Sequence, residues 1–237
     1  RKESFLNIKV LVWNLDHWKS KNRLLGWEFI QKINPDIALL NECPASQVGF
    51  NSVHHIQSAD WGAGIFSPHY RIDEVKIDCC HPEALVIGDT VINSKTIRSI
   101  SLYGRIIDGF SITTLHRSLS DLTPIFTSDE NRELLLIGGD FNASIQCDER
   151  MPSFKGDKSH HLFFERLKNF RLYDCLEKFH SGRIQTLRHS TSNYPWQNDY
   201  LFASKELFDK CFGCEVIDET SLYSVSDHNP IIANFDI

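Results

Sequence analysis

No apolar run in the chain is long enough to cross a bilayer as a helix, and Arg1-Lys2-Glu3-Ser4 leads into no signal-type apolar core. Neither a spanning helix nor a secretory leader is therefore expected. The chain does not begin with Met, as a piece of a longer protein would not. Positive charge is also short: 25 Lys and Arg face 31 Asp and Glu, a net charge of −6 and a pI of about 6.0. A purely electrostatic nucleic-acid binder should be basic. That absence counts only mildly, because a metal offsets the charge of a carboxylate-rich site and local basic loops can make the phosphate contacts. There is no G-x-S-x-G, which argues against a nucleophile-elbow serine hydrolase. Gly62-x-Gly64 lacks the third glycine of a dinucleotide loop. His54-His55 and His160-His161 are adjacent pairs, not the i, i+4 spacing that clamps zinc on a helix. Cys211-x2-Cys214 is half a zinc site without a second half at suitable spacing. No repeat, low-complexity tract or linker interrupts the chain, so residues 1–237 read as one domain.

Seven cysteines are present, an odd number scattered through apolar segments. Buried free thiols in a reducing, cytoplasmic compartment are the expectation. Apolar residues make up 41% and charged residues 24%, enough for a sizeable core. Strand patterns cover residues 8–15, 37–40, 62–67, 84–87, 96–103, 134–137, 200–203 and 231–235. Residues 72–77 alternate as a hairpin partner of 62–67 would. Leu25, Phe29 and Ile33 mark a helix over 22–33, stopped by Pro35-Asp36, and residues 160–170 form another. The stretch 111–126 starts like a strand, yet Leu115, Leu119, Leu122 and Phe126 recur at helical spacing, which predicts a helix. This mixture suggests two packed sheets with helices outside.

Chemistry-bearing residues sit at the ends of these strands. Asn14 and Glu42 each close an apolar run, and each alone reads as a solvated strand end or turn. Gly138-Gly139-Asp140-Phe141-Asn142 follows "ELLLI"; its glycines permit close approach, and an extended backbone would put Asp140 and Asn142 on one side. Ser226-Asp227-His228-Asn229-Pro230 precedes the last strand. Asp227 can ligate a hard cation, and His228 can donate to a phosphate or move a proton. Such a His needs an orienting acceptor on its other nitrogen, for which Asp199 is the candidate. Oxygen ligands with a His–Asp pair make a kit for metal-assisted phosphoryl chemistry.

The order Asn14, Glu42, Tyr103, Asp140-Phe141-Asn142, Asp199-Tyr200 and Ser226-Asp227-His228 resembles the endonuclease/exonuclease/phosphatase superfamily, whose members include DNase I and the exonuclease III-type AP endonucleases. The resemblance spans nearly the whole chain, and "GGDFNAS" and "SDHNP" are its most specific pieces. It implies a four-layer α/β sandwich of two packed mixed sheets flanked by helices, and a divalent metal, usually Mg2+ with Mn2+ as substitute. It implies Glu42 as principal metal ligand with Asn14 and Asp227 close by. Asp140 would orient or deprotonate the attacking water, Asn142 would bind the scissile phosphate, and His228, held by Asp199, would stabilise transition-state charge. Tyr103 matches a tyrosine at the phosphate in AP endonucleases; His116 in "TTLH" resembles a DNase I-type His only if its segment is a strand. Trp196 lies where some AP endonucleases carry a tryptophan lining the nucleotide pocket. Two departures stand out: Asn41 precedes Glu42 where Gln is common, and Asn198 replaces the usual aliphatic residue before Asp199. The reading is a magnesium-dependent phosphodiesterase, a nuclease on DNA, acting as a monomer. The alternatives are a phosphatase or a lipid phosphodiesterase of inositol phosphate or sphingomyelin type, and a binding domain that kept the fold without catalysis. Asp140 and His228 both remain candidates for the proton acceptor.

Overall fold

The first parallel strand pair sets the plan. Strand β1 (Asn7–Asn14) pairs in parallel with β2 (Ile37–Pro44). Parallel neighbours need a crossover, and helix α1 (Arg23–Ile33) supplies it. Asn22 caps that helix through its side chain, which accepts the Leu25 N–H, and Asn34 ends it in the left-handed region at φ 52°. The computed structural model describes residues 6–45, 47–58, 60–128, 134–151 and 156–237. The reading of Arg1 to Ser4 lies outside the described residues.

Two six-stranded sheets are built on such pairs. The first has the order β11-β12-β1-β2-β4-β3, with β3 (Asn51–Ser58), β4 (Trp61–Ser67), β11 (Cys211–Val216) and β12 (Ile231–Asp236). The second has the order β5-β6-β7-β8-β10-β9, with β5 (Ile72–Glu74), β6 (Leu85–Ile92), β7 (Lys95–Leu102), β8 (Leu135–Asp140), β9 (Leu172–Asp174) and β10 (Asp199–Ser204). Its parallel pair is β7–β8, and the crossover runs through α2 (Ile112–Asp121) and α3 (Thr123–Thr127). Residues 111–126 are thus helical, with Pro124 opening the second short helix.

Alternation along the central strands divides the core. Val10 and Val12 face the other sheet, and with Leu39, Ile65 and Ala233 of their own sheet they share one core with Val86, Leu136 and Leu201 of the other. Leu11 and Trp13 face outward onto Trp27, Phe29 and Ile30 of α1. Leu115 and Leu119 of α2, and Phe163 and Leu167 of α5 (Ser159–Asn169), which follows the short α4 (Ile145–Arg150), cover the outer face of the second sheet. The result is helix, sheet, sheet, helix: an α/β sandwich of two mixed sheets. Among the described residues no helix is long and apolar enough to cross a membrane.

One expected pairing is corrected. Residues 72–77 are not the hairpin partner of 62–67. Trp61–Ser67 pairs with Asn51–Ser58 and with β2, whereas Ile72–Glu74 joins β6 in the other sheet. The turn between them is tied by Ser67 Oγ, which accepts the N–H groups of His69 and Tyr70, and there the chain changes sheets. The Cys211-x2-Cys214 thiols are free and buried on β11, and the pair His160-His161 is explained by Asp148, which accepts from both rings at 2.8 Å.

Candidate active site

Strand direction brings the site together. Asn14 closes β1, Glu42 lies near the end of β2, Tyr103 directly follows β7 and Asp140 closes β8, all at carboxyl ends of the two parallel pairs. The antiparallel neighbours β10 and β12 present their amino ends to the same rim, which delivers Asp199 and, just before β12, His228. Residues more than two hundred positions apart therefore converge without any unusual loop.

At the centre lies a buried Asp–His–Asp chain. Asp199 and Asp140 face each other across β10 and β8. Like charges in such register repel, and His228 relieves the pair. Its Nδ1 donates to Asp199 Oδ2 at 2.8 Å, and its Nε2 lies 3.8 Å from Asp140 Oδ2 and 3.7 Å from Asp227 Oδ1. Burial alone would depress the His228 imidazole, but Asp199, Asp140 and Asp227 outweigh it and hold it well above its usual range. Burial raises the Asp140 carboxyl; His228 pulls it down, Asp199 pushes it up, and the net shift is upward. Ser226 fixes the His228 loop: its Oγ donates to Asn14 O and accepts the His228 N–H.

Asp140 is held on both oxygens. Oδ1 accepts the Asn142 backbone N–H at 2.8 Å, and Oδ2 accepts from Asn14 Nδ2 at 2.9 Å and Asn142 Nδ2 at 3.1 Å. The proximity of Asp140 and Asn142 is as expected, but its cause differs. Asn142 sits at φ 46° in the left-handed region, so an Asx-type turn brings the two together, not an extended backbone. Gly139 at φ 142° and Gly104 permit the close backbone crossing beneath; a Cβ on Gly104 would lie 1.7 Å from Phe141 O.

Glu42 is the half-buried end of the arrangement. It bulges out of β2 at φ 45°, between Leu40 and Cys43 where the register shifts. Asn14 Nδ2, at 3.2 Å, and the Tyr103 hydroxyl, at 2.9 Å, both donate to its Oε1, and Trp18 Nε1 donates to its Oε2. Burial, and then Glu42 and Asp140, push the Tyr103 phenol far up, so it stays a neutral donor. His116 lies elsewhere, on α2, against Phe163, Ser159 O and Arg166.

Three further residues serve the site. Asn41, fully buried, reaches between the sheets to accept the Asp140 N–H at 2.6 Å, which pins the end of β8 to β2. Thr186 Oγ1 accepts the N–H groups of Asn198 and Asp199 at 2.9 Å each. Asp16 Oδ1 is buried and makes no hydrogen bond among the described residues, with Lys19 Nζ 4.0 Å away, and the carboxyl is raised to about 6 by burial and then by Asp227 and Glu42, which outweigh Lys19. Asn14 Oδ1 accepts the Asp16 N–H at 2.9 Å, so Asn14 braces its neighbours through both ends of its carboxamide. Asp16 was legible as an acid two residues beyond Asn14; Thr186 gave no signal.

Donor atoms of Asp140, Asp199 and His228 lie within 4.8 Å of one another and could hold a metal ion. The three carboxylates at the rim, Asp16, Glu42 and Asp227, form a second acidic group in one electrostatic field.

No family model and no curated protein matches the sequence. Solved structures match the fold. An AP endonuclease from Archaeoglobus fulgidus superposes with a TM-score of 0.73 at 19% identity over 97% of this chain and 100% of its own. The 3' phosphatase NExo from Neisseria, bound to product DNA hairpin, gives 0.75 at 20% identity over 97% and 100%. Truncated TDP2 from Caenorhabditis elegans gives 0.71 at 15% identity over 98% of each chain. The chain has the DNase I-like α/β-sandwich fold that these structures share.

Proposed function

We propose that the protein is a divalent-metal-dependent phosphodiesterase that cleaves DNA as a monomer, with magnesium as its metal and manganese as substitute. The observation that carries this reading is the buried Asp199–His228–Asp140 chain, whose open end meets Asn142, Tyr103 and Glu42 at one rim. The names of its fold relatives agree with it: an AP endonuclease, and a 3' phosphatase with its product DNA hairpin.

Asp16, Glu42 and Asp227 would hold the metal. They are hard oxygen donors, and Asp16 carries a buried oxygen that makes no hydrogen bond among the described residues and a carboxyl raised by burial and by its acidic neighbours. A cation relieves that repulsion. Asn14 braces Glu42 and Asp140 beside it. We prefer this group over Asp140, Asp199 and His228, because the proton between His228 Nδ1 and Asp199 already occupies that pair. A metal held there would supply Lewis-acid polarisation of a phosphate oxygen and positive charge for the leaving oxygen.

The remaining work belongs to the side chains. Asp140, oriented through both oxygens, aims a water at phosphorus. His228 stays an imidazolium and offers its Nε2 proton to a phosphate oxygen or the leaving group. Asn142 and Tyr103 donate to the other oxygens. Preorganised donors of this kind are worth about 3 kcal/mol of barrier each. A phosphatase uses the same groups, and the 3' phosphatase among the fold relatives keeps that second reading in view. The complete acid, amide and imidazole set speaks against a purely binding role.

The test is a panel of plasmid, abasic oligonucleotide, bis-p-nitrophenyl phosphate and inositol phosphates, with and without EDTA. Plasmid and the diester should be hydrolysed, activity should vanish in EDTA, and magnesium or manganese should restore it. Full activity in chelator, or rescue by zinc alone, would sink the reading. Hydrolysis confined to inositol phosphates would move the protein to the phosphatase class.

A further inference from the structure

We propose that the site receives the intact base of the nucleotide it cleaves, and that Asn198 reads the edge of that base. This rests on the phosphodiesterase reading and adds the substrate class.

A cavity of about 430 Å³ opens beside Asn142, lined by Ile106, Phe110, Leu187, Trp196 and Asn198. That is a small-molecule volume. Its walls are apolar and open to solvent: Ile106 is 56% and Phe110 40% exposed. They stand on a tight loop in which Ile107 bridges Phe110, with Asp108 and Gly109 at φ 53° and 86°. Exposed apolar side chains on such a loop gain by covering a flat ring, and an aromatic face stacks favourably on any base.

The polar groups of the cavity are mostly committed. Asn142 Nδ2 donates to Gly104 O and Asp140. Ser111 Oγ donates to Asn142 O, and Ser192 Oγ accepts the Tyr194 N–H. Asn198 differs. Its N–H goes to Thr186 and its carbonyl accepts the Phe141 N–H, yet its carboxamide makes no hydrogen bond among the described residues. The Trp196 indole N–H, on the same wall, is buried and also without a partner.

A carboxamide offers one acceptor edge and one donor edge, the complement of a base edge. The Asn198 backbone is pinned next to Asp199, so the root of this side chain keeps a fixed place beside the catalytic groups. A nucleotide stripped of its base would leave the amide unpaired and the apolar walls uncovered. Sites built to hydrogen-bond a substrate group discriminate strongly against analogues that lack it. An aliphatic residue at 198 would abolish this reading of the edge.

The experiment compares oligonucleotides that differ only at the cleaved nucleotide, which carries either a base or a tetrahydrofuran. DNA and RNA versions separate the two sources of base. Wild type should favour the base-bearing substrate at least tenfold in kcat/KM, and Asn198→Leu should narrow that ratio at least tenfold. A ratio measured within one preparation does not depend on the folded fraction. Equal or better cleavage of the base-free substrate by wild type, or an unchanged ratio in Asn198→Leu, overturns the proposal while leaving the hydrolase reading intact. Calorimetric titration with deoxynucleoside 5'-monophosphates and with 2-deoxyribose 5-phosphate makes the complementary test. A tenfold preference for the nucleotide in a protein that cleaves nothing would keep the pocket and remove the phosphodiesterase. No preference in that titration overturns the pocket.

Discussion

Tyr103 and His116 lie on opposite sides of the second sheet. Tyr103 donates to Glu42 at the rim, while His116 packs under α5. Tyr103→Phe keeps the ring and removes the donor, so steady-state kinetics should show about a hundredfold loss in kcat with a nearly normal melting temperature. His116→Ala should lose under tenfold in kcat and register mainly as lost packing. Inverted results would move the phosphate donor to the helix. The convergence of the candidate site was legible wherever chemistry coincided with a strand end: Asn14, Glu42, Asp140, Asp199, Asp227 and His228. Supporting residues were not, because their roles arise between strands far apart in sequence. Asn41 carries a departure in type whose use, a bond to the Asp140 N–H across the two sheets, shows only in three dimensions.

The β6–β7 hairpin turns at Asn93 and Ser94, both in the left-handed region at φ 51° and 64°. That is the turn type in which Asn-Gly is preferred. Ser94 carries a Cβ penalty that glycine would not, so Ser94→Gly should stabilise by about 0.5–1 kcal/mol and raise the melting temperature by about 1–3 °C. A lower melting temperature would mean that the turn is not strained. Elements were legible where burial imposes period: central strands and amphipathic helices emerged, with α2 correctly taken as helix from its leucine spacing. Edges did not. Asn51–Ser58 is an edge strand, half-exposed, with His54 and His55 where apolar residues would otherwise mark a strand. Cys211–Val216 is the opposite edge of the same sheet. The mistaken pairing of 62–67 with 72–77 has the same origin, since alternation fixes which face a strand buries but not which sheet it joins.

Across the whole molecule, the buried acids tie stability to pH. Asp174 ends β9, and burial raises its carboxyl from 3.8 to about 7. A carboxyl raised in the folded state binds its proton more tightly there than in the unfolded chain. Its contribution is therefore most favourable below about pH 4, falls as pH rises towards 7, and is level above that. Asp174→Asn cannot ionise and keeps an acceptor for the Leu176 N–H. It should be more stable than wild type at pH 8 by on the order of 2–4 kcal/mol, and nearly equal at pH 4. Denaturant melts at both values check this, and a gap that does not change with pH would contradict it. The convergence of two sheets on one rim has its most direct test in His228, which lies against both facing aspartates. The measurement is kcat for bis-p-nitrophenyl phosphate at saturating magnesium, in wild type and in a His228→Ala variant shown to be folded. The account predicts a loss of about a thousandfold or more. A loss of less than tenfold would contradict it.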